Sequence, residues 1–434
     1  MLSRRRFLSA LSLPTVALGA GCLDPAAVAR NGALLREAAQ DPRSPEQLAG
    51  DEDFWRPVQQ AFSCDRSMVN LNAGGASPAP SWAQQKLVEH LNYANQAPPY
   101  HMWQLQEPNR EIVRARLARE FGCDTAELAI TRNASESLMI CQFGFDLRAG
   151  DEVLTSNQDY PRMLNAFRQR VRRDGVVLRE ISLPGPEAAD SEVVAAFAAA
   201  ITDKTRLLLC CHMINLTGRI LPVHAIVAMA RARSVPVIVD GAHALAHFPF
   251  QLRELDCDYY ASSLHKWLSA PIGAGLLYVR RDKIPGLWPM MAAGEQQRDD
   301  IRKFEEIGTH PAGNFLAVAE ALTFHQTLGG ERKAARLRLL RDRWTSRLLA
   351  NDRVSLHTSL QPGRACGIAN FAVRDLDATK LGDHLWDKHR ILVTPIAHAD
   401  CAGIRVSPAI FTTLEELDRF GDAVEQVLQH GLPS

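Results

Sequence analysis

Lys266 closes the segment Ser262-Ser263-Leu264-His265-Lys266, directly behind a short apolar run and ahead of a turn containing Gly273. A lysine amine placed there can attack a carbonyl carbon and form a Schiff base. Upstream, Asp240 ends the run Val237-Ile238-Val239-Asp240 and precedes Gly241-Ala242-His243. A carboxylate at a strand tip can pair with a protonated ring nitrogen. Far downstream, Arg405 stands in Gly403-Ile404-Arg405-Val406-Ser407, between apolar neighbours, and a guanidinium fork suits a carboxylate. Singly, each has a plainer reading: Asp240 as a turn or helix cap, Lys266 as a solvated lysine, Arg405 as one more surface arginine. Together they answer part of what pyridoxal-5′-phosphate (PLP) chemistry demands. Those demands are a Schiff-base lysine, an acid at the pyridine nitrogen, donors for the phosphate, a polar partner for the phenolic oxygen, a flat cover for the ring and an arginine for a substrate carboxylate.

Further segments supply the remaining parts. In Thr131-Arg132-Asn133-Ala134-Ser135-Glu136, Asn133 is a good N-cap and Glu136 fits a capping box. The segment reads either as a well-capped helix or as an anion site in which the amides of Ala134 and Ser135 meet a phosphate. Tyr160, in Asn157-Gln158-Asp159-Tyr160-Pro161, can cover a ring or fill a core. Asn215 lies in Ile214-Asn215-Leu216-Thr217-Gly218, and Thr309 follows Gly308.

Positioning these residues requires an α/β layered fold, because apolar strand-length runs alternate with helical patterns. Strands are expected over 151–155, 176–181, 206–212, 235–240, 259–263 and 275–280. Helices are expected over 45–62, 164–173, 223–233, 317–327 and 331–349. The near-continuous apolar runs, such as Leu207-Leu208-Leu209-Cys210-Cys211, predict a mainly parallel sheet buried on both faces. In such sheets ligands bind beyond the C-terminal strand ends, where Asp240 and Lys266 fall. The expected division is a signal and linker at 1–30, an N-terminal segment at 31–75, a large domain at 76–325, and an interdomain helix with a smaller C-terminal α/β domain at 326–434.

With 434 residues the chain can bury one large core or two ordinary ones, and a formal net charge of zero removes the electrostatic case for a nucleic-acid or membrane-surface binder. The nine cysteines form no CxxC pair, no Cys/His spacing resembles a metal site, and no Gly-x-Ser-x-Gly elbow appears. Ser3-Arg4-Arg5-Arg6-Phe7-Leu8, followed by a weak apolar run to Ala20, matches the twin-arginine export pattern. It predicts passage through the twin-arginine translocase to the periplasm or beyond, with Cys22 open to lipid attachment.

From about Leu71 to Phe420 the sequence resembles the class V aminotransferase family of fold-type I PLP enzymes. The resemblance implies that family's fold and cofactor and an amino-acid-like substrate. It implies Lys266 as the Schiff-base lysine, with Ala134, Ser135, Ser263 and His265 on the phosphate and Asp240 on the pyridine nitrogen. Asn215 and His243 (often Gln in the family) would meet the phenolic oxygen, Tyr160 would cover the ring and Arg405 would grip the α-carboxylate. Gly308-Thr309 resembles the pair that reaches the phosphate of the neighbouring subunit, which implies a homodimer. The wording of Asn72-Ala73-Gly74-Gly75-Ala76-Ser77-Pro78 and of Asp159-Tyr160-Pro161 is most similar to the isopenicillin N epimerase-like branch. The family spans transamination, epimerisation, C–S lyase and desulfurase chemistry, and a fold alone does not choose among them. Desulfuration needs a nucleophilic cysteine on a loop. Cys401 is four residues before Arg405, on a segment shorter than the desulfurase loop, and Cys366 is a weaker candidate. A PLP-fold protein that binds its ligand without turnover is the reading from another class.

Overall fold

A computed structural model describes residues 40–432, so the expected export signal and linker, with Cys22, lie outside the described residues. The first part of the chain contributes strands β1 (Val69–Asn70), β2 (Leu128–Thr131), β3 (Glu152–Ser156), β4 (Val177–Ile181), β5 (Thr205–Cys211), β6 (Val237–Asp240), β7 (Tyr259–Ser263) and β8 (Gly275–Val279). The second part adds β9 (Val354–Leu356), β10 (Ala369–Val373), β11 (Ile391–Leu392), β12 (Thr394–Ile396) and β13 (Gly403–Val406).

Seven strands form the main sheet in the order β2-β8-β7-β6-β5-β3-β4. The pairs β3–β4, β3–β5, β5–β6 and β6–β7 are parallel, and β8 runs antiparallel to both its neighbours. The sheet is therefore mainly parallel, as its apolar runs imply. Because β8 alone is reversed, β2 and β7 point the same way, and the start of β8 meets their C-terminal ends. The inner strands β6 and β7 are buried throughout. β4 differs from expectation: it is an edge strand with a mostly exposed pattern, and Arg179 and Glu180 give it the polar side chains that edges tolerate.

Helices of Ala134–Gly144, Pro161–Asp174, Asp190–Ala200 and Val223–Arg231 join the strands. Pro161 opens its helix at the first position, and Gly175 ends it with φ of 72°. The single helix expected over 45–62 is two, Pro45–Ala49 and Glu52–Gln60. The break falls at Gly50-Asp51, where the Asp51 carboxylate accepts the N–H groups of Asp53 and Phe54 and starts a new helix.

The smaller sheet has the order β12-β13-β10-β9 and is antiparallel throughout, with helices Ala378–His389 and Leu414–His430. The N-terminal segment is tied to this half of the chain: β1 and β11 form a separate two-stranded parallel sheet, and Asn72 bridges to Ser407. The Gly330–Leu348 helix packs on both Pro45–Ala49 and Leu414–His430. Its basic stripe is not all solvated, since Lys333, Arg336 and Arg341 are buried. No described helix is long and apolar enough to cross a membrane.

Candidate active site

The site is built from turns that leave the C-terminal edge of the main sheet. After β2, Asn133 caps the Ala134–Gly144 helix by accepting the Glu136 N–H at 2.8 Å, so its side chain anchors a helix N-terminus at the sheet edge. The Ala134 N–H donates to Ser263 Oγ at 2.9 Å, which ties this turn to the end of β7. Gly275, the first residue of β8, completes the close approach: a Cβ there would meet the Asn133 main chain at 2.6–2.7 Å. Half-buried His265 is held by its Nδ1, 3.2 Å from the Ala274 carbonyl oxygen. The start of this helix, with Ala134 and Ser135, is thus joined to Ser263 at the C-terminal edge of the sheet, and His265 follows two residues later.

Asp240 and Lys266 arrive from adjacent strands, β6 and β7. Gly241 is required between them, because a Cβ would lie 1.9 Å from the Tyr260 ring. The Asp240 Oδ1 accepts the Ala242 N–H at 2.9 Å, and burial pushes its carboxyl up to about 6, against the pull of Lys266. Lys266 Nζ lies 3.1 Å from His243 Nε2. Burial brings the Lys266 amine down to about 8, opposed by Asp240 and assisted by Arg405. Burial, with the Lys266 and Arg405 cations, holds His243 well below its ordinary value, so its ring is neutral.

Arg405 comes from β13 in the smaller sheet. Its guanidinium donates to the Asn215 carbonyl oxygen at 3.1 Å, to Asn72 Oδ1 at 2.6 Å and to Thr394 Oγ1 at 3.1 Å. Burial draws it down to about 10, and the Tyr160 phenol acts in the opposite direction. Tyr160 therefore shares the field of Arg405, at the start of the Pro161–Asp174 helix.

Asp159 is a residue that sequence reasoning passed over. It is buried, and its Oδ2 accepts from Thr155 Oγ1 and from the N–H and Oγ of Ser156 at 2.7–2.9 Å. Burial raises its carboxyl, and its charge adds to the upward push on Asp240. The hydroxyls at Thr155 and Ser156, four and three residues ahead, were the readable signal. Asn72 and Thr394, the partners of Arg405, carry no comparable signal, since Thr394 is set opposite Arg405 only by the β12–β13 pairing and Asn72 only by the pairing of β1 with β11 and its bridge to Ser407.

Thr309 is not brought to this cluster within the chain. It is exposed, on a loop whose cavity is shared with Trp103, Arg302 and His310. Cys401 is 2% exposed, its carbonyl accepts the Asn370 side-chain amide at 3.0 Å, and burial pushes its thiol up to about 11. Cys366 is likewise buried and pushed up to about 12.

The residues present fit PLP. His243 Nδ1, Asn215 Oδ1 and Arg405 Nε are buried without a hydrogen-bond partner. A buried polar atom left unpaired is costly, so these atoms suit a polar ligand held between the two sheets. A buried carboxyl with a raised proton affinity, as at Asp240, suits a cationic ring nitrogen.

Residues 70–420 match the family model described as Aminotransferase class-V. The chain is 30% identical over 398 residues to the isopenicillin N epimerase of Streptomyces clavuligerus, covering 86% of this chain and 98% of that protein. It is 31% identical over 392 residues to the isopenicillin N epimerase of Amycolatopsis lactamdurans, with the same coverage of 86% and 98%. Among solved structures, a cystine C–S lyase in complex with cysteine persulfide superposes with a TM-score of 0.72 at 24% identity, covering 82% of this chain and 97% of that one. A cysteine desulfurase from Thermococcus onnurineus superposes with a TM-score of 0.73 at 20% identity, covering 88% and 98%. With fold and sequence in agreement across this span, the chain belongs to the class V aminotransferase family and is a PLP-dependent enzyme.

Proposed function

We propose that this enzyme removes a proton from the α-carbon of an amino acid, with Lys266 as both covalent anchor of the cofactor and base, in the manner of the epimerase-like branch. The observation that carries the reading is the Lys266–His243 contact of 3.1 Å beside buried Asp240, with Arg405 entering from the other sheet. PLP, when bound, supplies an aldehyde for an amine and an electron-withdrawing ring that stabilises negative charge at the neighbouring carbon. The chain's own residues do the rest. Ala134, Ser135, Ser263 and His265 would hold the phosphate, Asp240 the ring nitrogen, and Asn215 with His243 the phenolic oxygen. Tyr160 would cover the ring. Arg405, steadied by Asn72 and Thr394, would grip a carboxylate and fix which bond at the α-carbon faces Lys266. An amine near 8 is in part unprotonated at neutral pH and can take that proton.

Cleavage of a C–S bond begins with the same proton removal, and relatives named as lyases and desulfurases keep this second reading open. A persulfide-carrying cysteine is not supported, because Cys401 and Cys366 are buried thiols with raised proton affinity.

The same reading includes a homodimer, in which exposed Thr309 would reach the partner subunit's phosphate site. It also includes export by the twin-arginine translocase through Arg4-Arg5-Arg6-Phe7, with the mature enzyme periplasmic or lipid-anchored at Cys22. Fusion of the first thirty residues to a reporter, with and without lysines in place of these arginines, tests export. The reaction is tested by incubating the holoenzyme with single amino acids in D2O. Deuterium at the α-carbon with loss of optical purity is expected; sulfide and keto acid without deuterated amino acid would favour the lyase reading.

A further inference from the structure

Lys333 is a lysine buried to 2% exposure, outside the residues that the family resemblance assigns. It lies on the Gly330–Leu348 helix, and its Nζ donates to the Trp267 carbonyl oxygen at 2.7 Å. Trp267 is the residue after Lys266. The same Nζ is 3.0 Å from Nδ1 of His325, whose Nε2 is 3.4 Å from Glu120 Oε1. Burial and the Lys333 charge press His325 down to about 4, so its ring is neutral. The network assigns the proton: Nε2–H points to the Glu120 carboxylate and Nδ1 accepts from Lys333. A carboxylate, an imidazole and a lysine amine from three helices thus form a chain of contacts that ends on one carbonyl.

The Trp267 ring continues the connection. It stacks on His247 with centroids 3.5 Å apart and planes 16° from parallel. The His247 Nε2 accepts the Gly367 N–H at 2.9 Å, so Nδ1 carries the proton and donates to the His243 carbonyl oxygen at 2.8 Å. His243 in turn touches Lys266. Lys266, Trp267, His247 and His243 therefore form a closed ring of contacts, and Lys333 pins it from outside. Burial brings the Lys333 amine down to about 7, and a buried polar amine is costly unless its partners are fixed, so the position restricts the geometry of what it holds.

We propose that Lys333, oriented by His325 and Glu120, is a positioning residue that fixes the Lys266–Trp267 turn and with it the placement of the Lys266 amine against His243. The proposal rests on the reading of Lys266 as the cofactor anchor, which reduction with borohydride tests separately. Lys303 provides the contrast: it is also buried and donates to two carbonyls, those of Ile284 and Arg298, but has no link to Lys266.

The test is competitive acetylation of the full-length, cofactor-free protein across pH, with Lys266 read by mass spectrometry. The wild-type midpoint is expected near 8. In Lys333→Met the turn relaxes, the amine gains solvent, and the midpoint rises by about one unit, a tenfold change in proton affinity. Glu120→Gln, which leaves no hole in the core, shifts it in the same direction by less and decides the matter if Lys333→Met does not fold. Lys303→Met lowers thermal stability without moving the midpoint. In the reconstituted holoenzymes, the visible circular dichroism of the cofactor changes in Lys333→Met and not in Lys303→Met. An unmoved midpoint in folded Lys333→Met and in Glu120→Gln, or an equal shift in Lys303→Met, overturns the proposal.

Discussion

Nζ of Lys266 lies 3.1 Å from Nε2 of His243, and the two residues come from turns after adjacent parallel strands. Because burial keeps the imidazole neutral, Nε2 can accept a hydrogen bond from the amine and orient it without competing for the proton. Reduction of the holoenzyme with borohydride is therefore expected to fix PLP to the peptide containing Lys266. Lys266→Ala is expected to lose the visible band and to slow α-proton exchange by roughly 10²–10⁴-fold, the usual contribution of a positioned base. Cofactor fixed to another lysine would overturn the assignment.

The charges around Lys266 act on it in opposite senses, which gives a signed test. Asp240 raises the proton affinity of the amine and Arg405 lowers it. In cofactor-free protein, Asp240→Asn should move the Lys266 titration below its wild-type midpoint near 8, and Arg405→Leu should move it above. Competitive labelling over pH 5–10 reads both shifts; movement in the same direction would contradict the arrangement.

Arg405 separates binding from chemistry. Its fork is held on Asn72, Thr394 and the Asn215 carbonyl, and its own assigned contact is with the substrate carboxylate, not with the cofactor. Arg405→Leu should raise KM for an amino acid by roughly 10–100-fold, the loss of charge-assisted bonds worth about 1.5–3 kcal/mol. Affinity for PLP should change little. A primary amine lacking the carboxylate should be processed no worse by the variant than by the wild type.

How much of this was legible beforehand differs by element. β6 and β7 were readable because strands buried on both faces are continuous apolar runs, and the turns that follow them carry Asp240, His243 and Lys266. β4 was misread as buried: its sequence has strand character, and only its place at the sheet edge exposes it. The 45–62 helix hid a break, because Gly50-Asp51 can continue a helix in sequence but here caps one and starts another. Asn72 became a partner of Arg405, more than 300 residues away, through the pairing of β1 with β11 and its bridge to Ser407, whereas Thr394 faces Arg405 across the β12–β13 ladder. The buried Lys333 and His325 look like solvated residues of basic or amphipathic helices until both faces of those helices are packed.

Cys401 distinguishes two chemistries on one fold. Its thiol is buried, pushed up to about 11, and its backbone is held by Asn370. A nucleophile for sulfur transfer must be an accessible thiolate. Cys401→Ser is therefore expected to keep activity within about threefold and to leave no persulfide-labelled peptide missing, since α-proton removal does not use the thiol. Loss of turnover together with loss of a persulfide on this peptide would establish desulfurase chemistry instead.

Thr309 allows the dimer to be tested by chemistry. Within one chain it is exposed, on a loop whose cavity includes none of Ala134, Ser135 and Ser263. If it serves the partner subunit's site, Thr309→Ala should weaken PLP binding by roughly 10–100-fold through loss of one bond to a charged group. Mixing then separates the alternatives. A heterodimer of Lys266→Ala with Thr309→Ala contains one site with both defects and one with neither, because each chain lends its Thr309 to the other. Unfolding and co-refolding the two variants at limiting PLP should restore activity that neither homodimer has. If Thr309 served its own chain, every site would keep one defect and mixing would restore nothing.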